Sequence, residues 1–242
     1  MNPLPIYIGC AGWTVGREQA SAFPAQGTHL QRYGAQLNGV EINSSFYRPH
    51  RRQTYVRWAE SVPNAFRFSV KIPKRITHEG RLANGEQLLD EFIEQCSGLG
   101  EQLGGLLVQL PPSLAFDEAV AESFFSTLKE RYSGAVILEP RHPSWVDAGA
   151  LLMEYRISQA AVDPSRICTD SSPAGAQNVQ YWRLHGSPRI YYSAYELTYL
   201  KSLAKNLRVA AAAGAIVWCL FDNTASGAAL SNALALSTLI DH

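Results

Sequence analysis

The chain has 242 residues, 46% of them hydrophobic, which is material for a full core and the length of one α/β barrel. Twenty-one Lys/Arg stand against 21 Asp/Glu, and the formal net charge of zero excludes a global basic field for nucleic acid. The longest apolar stretch, Val209 to Phe221, has 13 residues with Gly214 inside it and is too short for a membrane span.

Short apolar runs and helix-period segments alternate along the chain. Ile6–Cys10 reads as a first strand and Thr28–Leu37 as a helix. Strand Gly39–Ile42 precedes helix Gln53–Glu60, and strand Phe66–Val70 precedes helix Gly85–Leu103, where Leu88, Leu89, Phe92 and Cys96 keep i, i+3/i+4 spacing. Strand Gly105–Gln109 leads to helix Asp117–Tyr132, with Asp117 placed to cap it. Strand Ala135–Glu139 leads to helix Val146–Tyr155. Strand Gln159–Asp163 is followed by a Pro-, Ser-, Gly- and Asn-bearing stretch over 164–180 that reads as a loop, so the helix after strand six is short or absent. Strand Tyr181–His185, helix Tyr195–Ala213, strand Ala215–Phe221 and helix Ala225–Ile240 complete the chain. Most strands are apolar throughout, as strands buried on both faces of a parallel sheet are.

Strands and helices alternating at this length predict a TIM-type (β/α)8 barrel over residues 1–242 as one domain. An open doubly wound sheet competes, but Gly9-Cys10-Ala11-Gly12-Trp13 after strand one lacks the Gly spacing of a phosphate fingerprint. Cys10, Cys96, Cys168 and Cys219 form no CxxC pair or Cys/His cluster and read as buried, reduced thiols. No basic, then apolar leader opens the chain, and a cytoplasmic protein without a bound metal or cofactor is expected.

The C-terminal strand ends of a parallel barrel converge on one mouth, where reactive residues collect. Here they carry Cys10, Trp13, Glu41, Asn43, Lys71, Gln109, Glu139, Arg141, Asp163, Arg183, His185, Asp222 and Asn223, with His142 just beyond strand five. The clearest case is Ala135 to Trp145, an apolar run ending in Glu139, Arg141 and His142 between prolines. If the alternating faces point inward, carboxylates Glu41, Glu139 and Asp163 meet cations Lys71, Arg141 and Arg183. Ion pairs are poor stabilisers, so six such charges at one end point to chemistry more than to structure. Trp13 reads as a stacking platform or a lid. Cys10 and Asp222 read as structural.

The loops after strands two and three add charge. Residues 47–52 and 71–81 hold seven Lys/Arg and one Glu, and Arg51 and Arg52 abut a helix N-terminus, where the dipole disfavours cations. An electropositive mouth draws phosphate, carboxylate or a nucleic-acid strand. The last turn, Asp222 to Gly227, opens a small-residue helix and reads as a capped helix start or a phosphate site.

Several of these stretches together resemble one family: Gly9-Cys10-Ala11-Gly12-Trp13, Glu41 to Tyr47, Lys71-Ile72-Pro73 with Ile76-Thr77-His78, Gln109 to Ser113, Glu139 to Trp145, Arg183-Leu184-His185-Gly186 and Phe221-Asp222-Asn223. They are similar to the DUF72 (YecE-like) family, from about residue 6 to residue 240. The resemblance implies a TIM-type barrel and no activity, since the function of that family is unknown. Members usually read Phe-Asn-Asn where this chain has Phe221-Asp222-Asn223, which leaves Asn223 the site candidate of that pair.

The residues favour an enzyme doing general acid–base chemistry, a hydrolase, isomerase or lyase, on a small polar, anionic molecule bearing phosphate or carboxylate. Glu41, Glu139, Asp163 and His185 are the expected proton-handling groups, and Trp13, Asn43, Lys71, Gln109, Arg141, His142, Arg183 and Asn223 the substrate contacts. Two carboxylates in one mouth also permit glycoside hydrolysis. The alternatives are a metal-dependent hydrolase or isomerase using Glu41, Glu139 and Asp163, and a nucleic-acid-binding protein using the basic loops with Phe46, Tyr47 and Tyr55 as stacking surfaces.

Overall fold

A computed structural model describes residues 5–167 and 172–241; Cys168 lies outside them. The described elements run β1 Ile6–Cys10, α1 His29–Gly34, β2 Gly39–Ile42, α2 Arg52–Glu60, β3 Arg67–Lys71, α3 Glu86–Cys96, β4 Leu103–Gln109, α4 Glu118–Arg131 and β5 Val136–Glu139. They continue α5 Gly149–Glu154, β6 Ile157–Gln159, β7 Ala161–Asp163, β8 Ala174–Gly175, β9 Val179–Leu184, α6 Leu197–Ala212, β10 Ile216–Phe221 and α7 Ala228–Asp241. Local chemistry accounts for two of the helix starts. Thr28 and Gln31 form a reciprocal capping box on α1, and Asp117 accepts from the Val120 amide at 3.1 Å to cap α4 as expected.

The strands follow the parallel order of a TIM-type barrel in two arcs, β1-β10-β9-β7 and β2-β3-β4-β5-β6. The arcs meet at two seams. At one, the strand expected as Gln159–Asp163 is two: β6 pairs with β5, β7 pairs with β9, and Ala160 between them donates its amide to Leu138. Changing partners at Ala160 lets one stretch of chain serve both arcs. At the other, β1 and β2 touch through a bridge between Ala11 and Glu41, and side chains replace the missing ladder bonds. The Tyr33 hydroxyl accepts from the Cys10 amide at 2.8 Å and donates to the Gly39 carbonyl at 3.0 Å. Asn38 accepts from the Ile8 amide and donates to the Ile6 carbonyl, both at 2.8 Å.

One expected helix is shorter, and two expected loops carry regular structure. The helix expected over 85–103 ends at Cys96, and a 3-10 segment follows in which Gly100 takes φ 56°, outside helical space. The stretch over 164–180 contributes a two-residue strand, β8, antiparallel to β6, and no helix among its described residues. The basic loop after β3 is a single π-helical turn, Arg75–Glu79.

Alternation along the strands separates two apolar populations. Val70, Leu106, Val108, Leu138, Val217, Cys219 and Phe221 belong to the larger cluster that also takes in the helices' apolar faces. Leu107, Ile137, Val179, Tyr181, Trp218 and Leu220 form a second cluster inside the strands. Trp218 is its floor, with Tyr7 at 4.7 Å and Tyr181 stacked at 6.1 Å between ring centroids. A Cβ on Gly104 would lie 2.4 Å from the Trp218 ring, so only glycine fits there. One step of two residues above this layer, four strands change from apolar to polar: Leu107 to Gln109, Ile137 to Glu139, Tyr181 to Arg183, Leu220 to Asp222.

Candidate functional site

Arg183 is the hub of that polar layer and is fully buried. Its Nε donates to Glu41 Oε2 and its Nη2 to Glu41 Oε1, both at 2.8 Å, a bidentate pair across the mouth. Its Nη1 reaches Glu139 Oε2 at 3.1 Å and its Nη2 lies 3.1 Å from Asp222 Oδ2. Three carboxylates therefore converge on one guanidinium. Tyr181 adds a hydroxyl 3.4 Å from Glu41 Oε2, itself 3.0 Å from Ser69 Oγ.

Glu139 is the second hub. Its Oε1 accepts from Gln109 Nε2 at 2.8 Å, from Arg141 Nε at 3.1 Å, and faces His185 Nε2 at 3.2 Å. Burial alone would raise its carboxyl, but Arg183, His185 and Arg141 hold it well below the usual carboxylate range. Asp222 follows the same logic: burial opposes ionisation, and Arg183 and His185 outweigh it. On His185, Nδ1 lies 2.9 Å from Asp222 Oδ2 while Nε2 faces Glu139. Ionised carboxylates only accept, so this placement favours protons on both ring nitrogens, while the Arg183 guanidinium, a donor 3.2 Å from Nε2, works against the second one. Burial also works against a charged ring, and Glu139 and Asp222 raise the pKa above the ordinary histidine value in spite of it.

The ion pairs balance three cations, Arg141, Arg183 and His185, against three carboxylates, Glu41, Glu139 and Asp222. Lys71 is the surplus charge. It is 5% exposed, and among the described residues no carboxylate lies within ion-pair distance. Its Nζ donates to Asn43 Oδ1 at 3.2 Å and sits 4.1 Å above the Phe46 ring. Burial, then Arg183, lower its pKa to about 8 against the pull of Glu41, Glu139 and Asp222. The same Phe46 ring meets His78 edge-on at 4.8 Å. Burial and the cations Lys71 and Arg141 push His78 down to about 4, leaving it neutral.

The structure thus gathers Glu41, Lys71, Gln109, Glu139, Arg141, Arg183 and His185, with Asn43 attached through Lys71. It places the other expected residues elsewhere. Asp163 pairs in register with Leu184, on the outer phase of the strands, and its charge acts on Tyr195 and Tyr199. Asp222 takes the position in the carboxylate trio expected of Asp163. Asn223 donates to Ser193 O at 2.8 Å and Asn232 Oδ1 at 3.0 Å, bracing the loop before α6. His142 caps the 3-10 turn Pro143–Ala148 through Ser144. Trp13 packs edge-on against Trp58 at 5.0 Å, on an aromatic cluster with His50 and Tyr55.

Asp222, read from the sequence as structural, joins the network two residues beyond Leu220. Two further participants, His78 and Tyr191, are not among the expected site residues. His78 sat inside a motif already singled out. Tyr191 carried no signal: it has φ 70°, uncommon for a bulky residue, and its ring stands edge-on to His185 at 5.6 Å. Its hydroxyl also supports the Arg141 charge. The basic loops are partly self-satisfied: Arg52 pairs with Glu94 at 3.8 Å, Lys74 with Glu79 at 2.9 Å, and Arg81 donates to the Ser113 carbonyl at 3.0 Å. Among the described residues no set of three His, Cys, Asp or Glu side chains is placed to hold a metal ion, and Arg183 occupies the point on which the carboxylates converge. Cys10, Cys96 and Cys219 are buried free thiols, with Cys10 and Cys96 pushed up to about 12 by burial. No described helix is long and apolar enough to cross a membrane.

The fold and this mouth define a TIM-type α/β protein with a buried ion network at the C-terminal strand ends. The family model described as "Protein of unknown function DUF72" matches residues 7–242, and the chain belongs to that family. It is 29% identical to UPF0759 protein YecE of Escherichia coli K12 over 174 residues, 71% of this chain and 61% of that protein. It is 28% identical to UPF0759 protein YunF of Bacillus subtilis 168 over 116 residues, 44% of this chain and 40% of that protein. The chain therefore spans less than two thirds of the curated relatives it matches. Among solved structures, a DUF72 protein of Thermotoga maritima MSB8 superposes with TM-score 0.82 at 23% identity, covering 98% of this chain and 99% of that one. One from Enterococcus faecalis V583 gives 0.82 at 19% identity, with 98% and 96% covered. At these identities the likeness is one of fold.

Proposed function

We propose that the chain is an enzyme that does general acid–base chemistry on a small, anionic molecule at the barrel mouth. The observation that carries this reading is His185, whose two ring nitrogens both face carboxylates at the wall of a cleft shared with Arg141, Gln159, Arg166 and Tyr191. A histidine whose pKa is raised there by Glu139 and Asp222 is suited to act as a general acid. Glu139, held ionised by three cations, stabilises the acid rather than taking a proton itself. Glu41 is committed to Arg183 at both oxygens and positions it.

Arg141, with 17% of its side chain exposed, presents the cleft-side positive charge, and unpaired Lys71 gives the mouth its positive excess. The enclosed part of the cleft is only about 20 Å³, room for a water. A substrate enters by displacing Tyr191, which is 40% exposed. The test is a thermal-shift screen of small phosphates, carboxylates and neutral sugars against the parent chain and Arg141→Ala. Anions are expected to raise the melting temperature of the parent, and the variant to lose that response. Equal responses to neutral sugars, or an undiminished response in Arg141→Ala, would overturn the reading.

A further inference from the structure

We propose that the Lys71 amine is a nucleophile that forms an imine with the carbonyl carbon of a small oxo acid. The inference rests on the anionic-substrate reading above and narrows its substrate class. A buried ammonium without a carboxylate is costly and demands another reason for being there. Its fixed partners are one amide oxygen, Asn43 Oδ1 at 3.2 Å, and the face of Phe46 at 4.1 Å. Neither neutralises the charge, and the hydrogen bond to Asn43 survives if the nitrogen gives up a proton, whereas the attraction to the Phe46 ring does not.

A binding site for an anion alone is better served by arginine, whose fork holds carboxylate bidentately and cannot deprotonate. This mouth has such a residue in Arg141. Lysine desolvated beside another cation is the arrangement that yields free amine near neutral pH. Burial and Arg183 provide it here, bringing Lys71 to about 8. Arg141 and Lys71 both act on the imidazole of His78, so they share one region of the mouth. In the proposed adduct the carboxylate of the oxo acid sits on Arg141 and the carbonyl carbon is joined to Lys71.

The balance closes without an oxidant or reductant. The amine lone pair attacks the carbonyl carbon, and the π pair moves to oxygen, which is protonated to give a carbinolamine. That oxygen then leaves as water when the nitrogen lone pair forms the C=N bond. Starting from the ammonium, the products are an iminium and one water, with no net proton consumed. The iminium draws electrons from the adjacent carbon, the purpose such an adduct serves in proton abstraction or C–C cleavage.

The experiment treats the full chain with glyoxylate and cyanoborohydride at about pH 7.5 and maps adducts by peptide mass. The chain has five lysines: Lys71, Lys74, Lys129, Lys201 and Lys205. Lys71 is expected to be labelled about tenfold or more faster than the exposed lysines, as its larger free-amine fraction requires. Labelling should stop when Lys71→Arg replaces the amine and keeps the charge. Should the variant fail to fold, the parent's peptide map decides alone. Labels confined to the other lysines while glyoxylate still raises the melting temperature would overturn the imine and spare the anion site. Absence of both would overturn both.

Discussion

Replacing Arg183 with Met removes the guanidinium on which three carboxylates converge, and the structure states which of them is left without support. Glu139 keeps Gln109, Arg141 and His185, and Asp222 keeps His185. Glu41 keeps only the Tyr181 hydroxyl at 3.4 Å. One fully buried carboxylate is thus uncompensated, at a cost of about 3–5 kcal/mol. For a chain of this length that is a fall in melting temperature of about 6–20 °C. Urea denaturation monitored by tryptophan fluorescence measures it. The double variant Arg183→Met/Glu41→Gln, which leaves no orphaned charge, is expected to recover about 2 kcal/mol or more of the loss. A single variant that costs under about 1 kcal/mol, or a double variant no more stable than the single, refutes the hub as described.

Asp222→Asn removes one of the two carboxylates that raise the His185 pKa, and proton NMR of the ring should show that pKa falling towards the ordinary value near 6.5. The sign follows: a raised histidine contributes stability that is full below about pH 6.5 and is lost as pH rises through the folded value, and the variant should lose it at lower pH. Glu139 and Asp222 act in the opposite sense, contributing stability above about pH 4.5 that disappears as pH falls through their depressed values, so urea midpoints should drop on acidification below that point. Gly9→Ala should destabilise by about 1–3 kcal/mol, because its Cβ would lie 1.8 Å from the Gly39 carbonyl and 2.6 Å from the Tyr33 hydroxyl at the β1–β2 seam; an unchanged urea midpoint would contradict the close approach. Asp163→Asn should leave the His185 titration where it is, whereas a shift as large as that of Asp222→Asn would put Asp163 back in the mouth.

Much of the fold was legible because its signals are local. Seven helices were expected and seven are described, since each carries its own apolar period and two, α1 and α4, their own side-chain caps. Seven of the eight expected strands lie within a few residues of their described bounds. The eighth failed at Ala160, where the chain changes partner, a feature of neighbours rather than of composition. The seam at β1 and β2 was equally silent. Nothing in the run Arg32-Tyr33-Gly34 announces that Tyr33 hydrogen-bonds across two strands.

For the mouth, the chain alone determined which residue types end the strands and which lie two apart. Alternation of side chains is a property of the extended backbone and needs no partner. It therefore placed Glu139 above Ile137 and paired Arg183 with His185. Only the tertiary structure decided which phase of each strand faces inward, because that depends on register with the neighbouring strand. Asp163 stands opposite Leu184 and faces out, while Asp222 stands one beyond Phe221 and faces in. Register also decided that three carboxylates satisfy one arginine and that Lys71, one strand over from Glu41, has no carboxylate within ion-pair distance among the described residues.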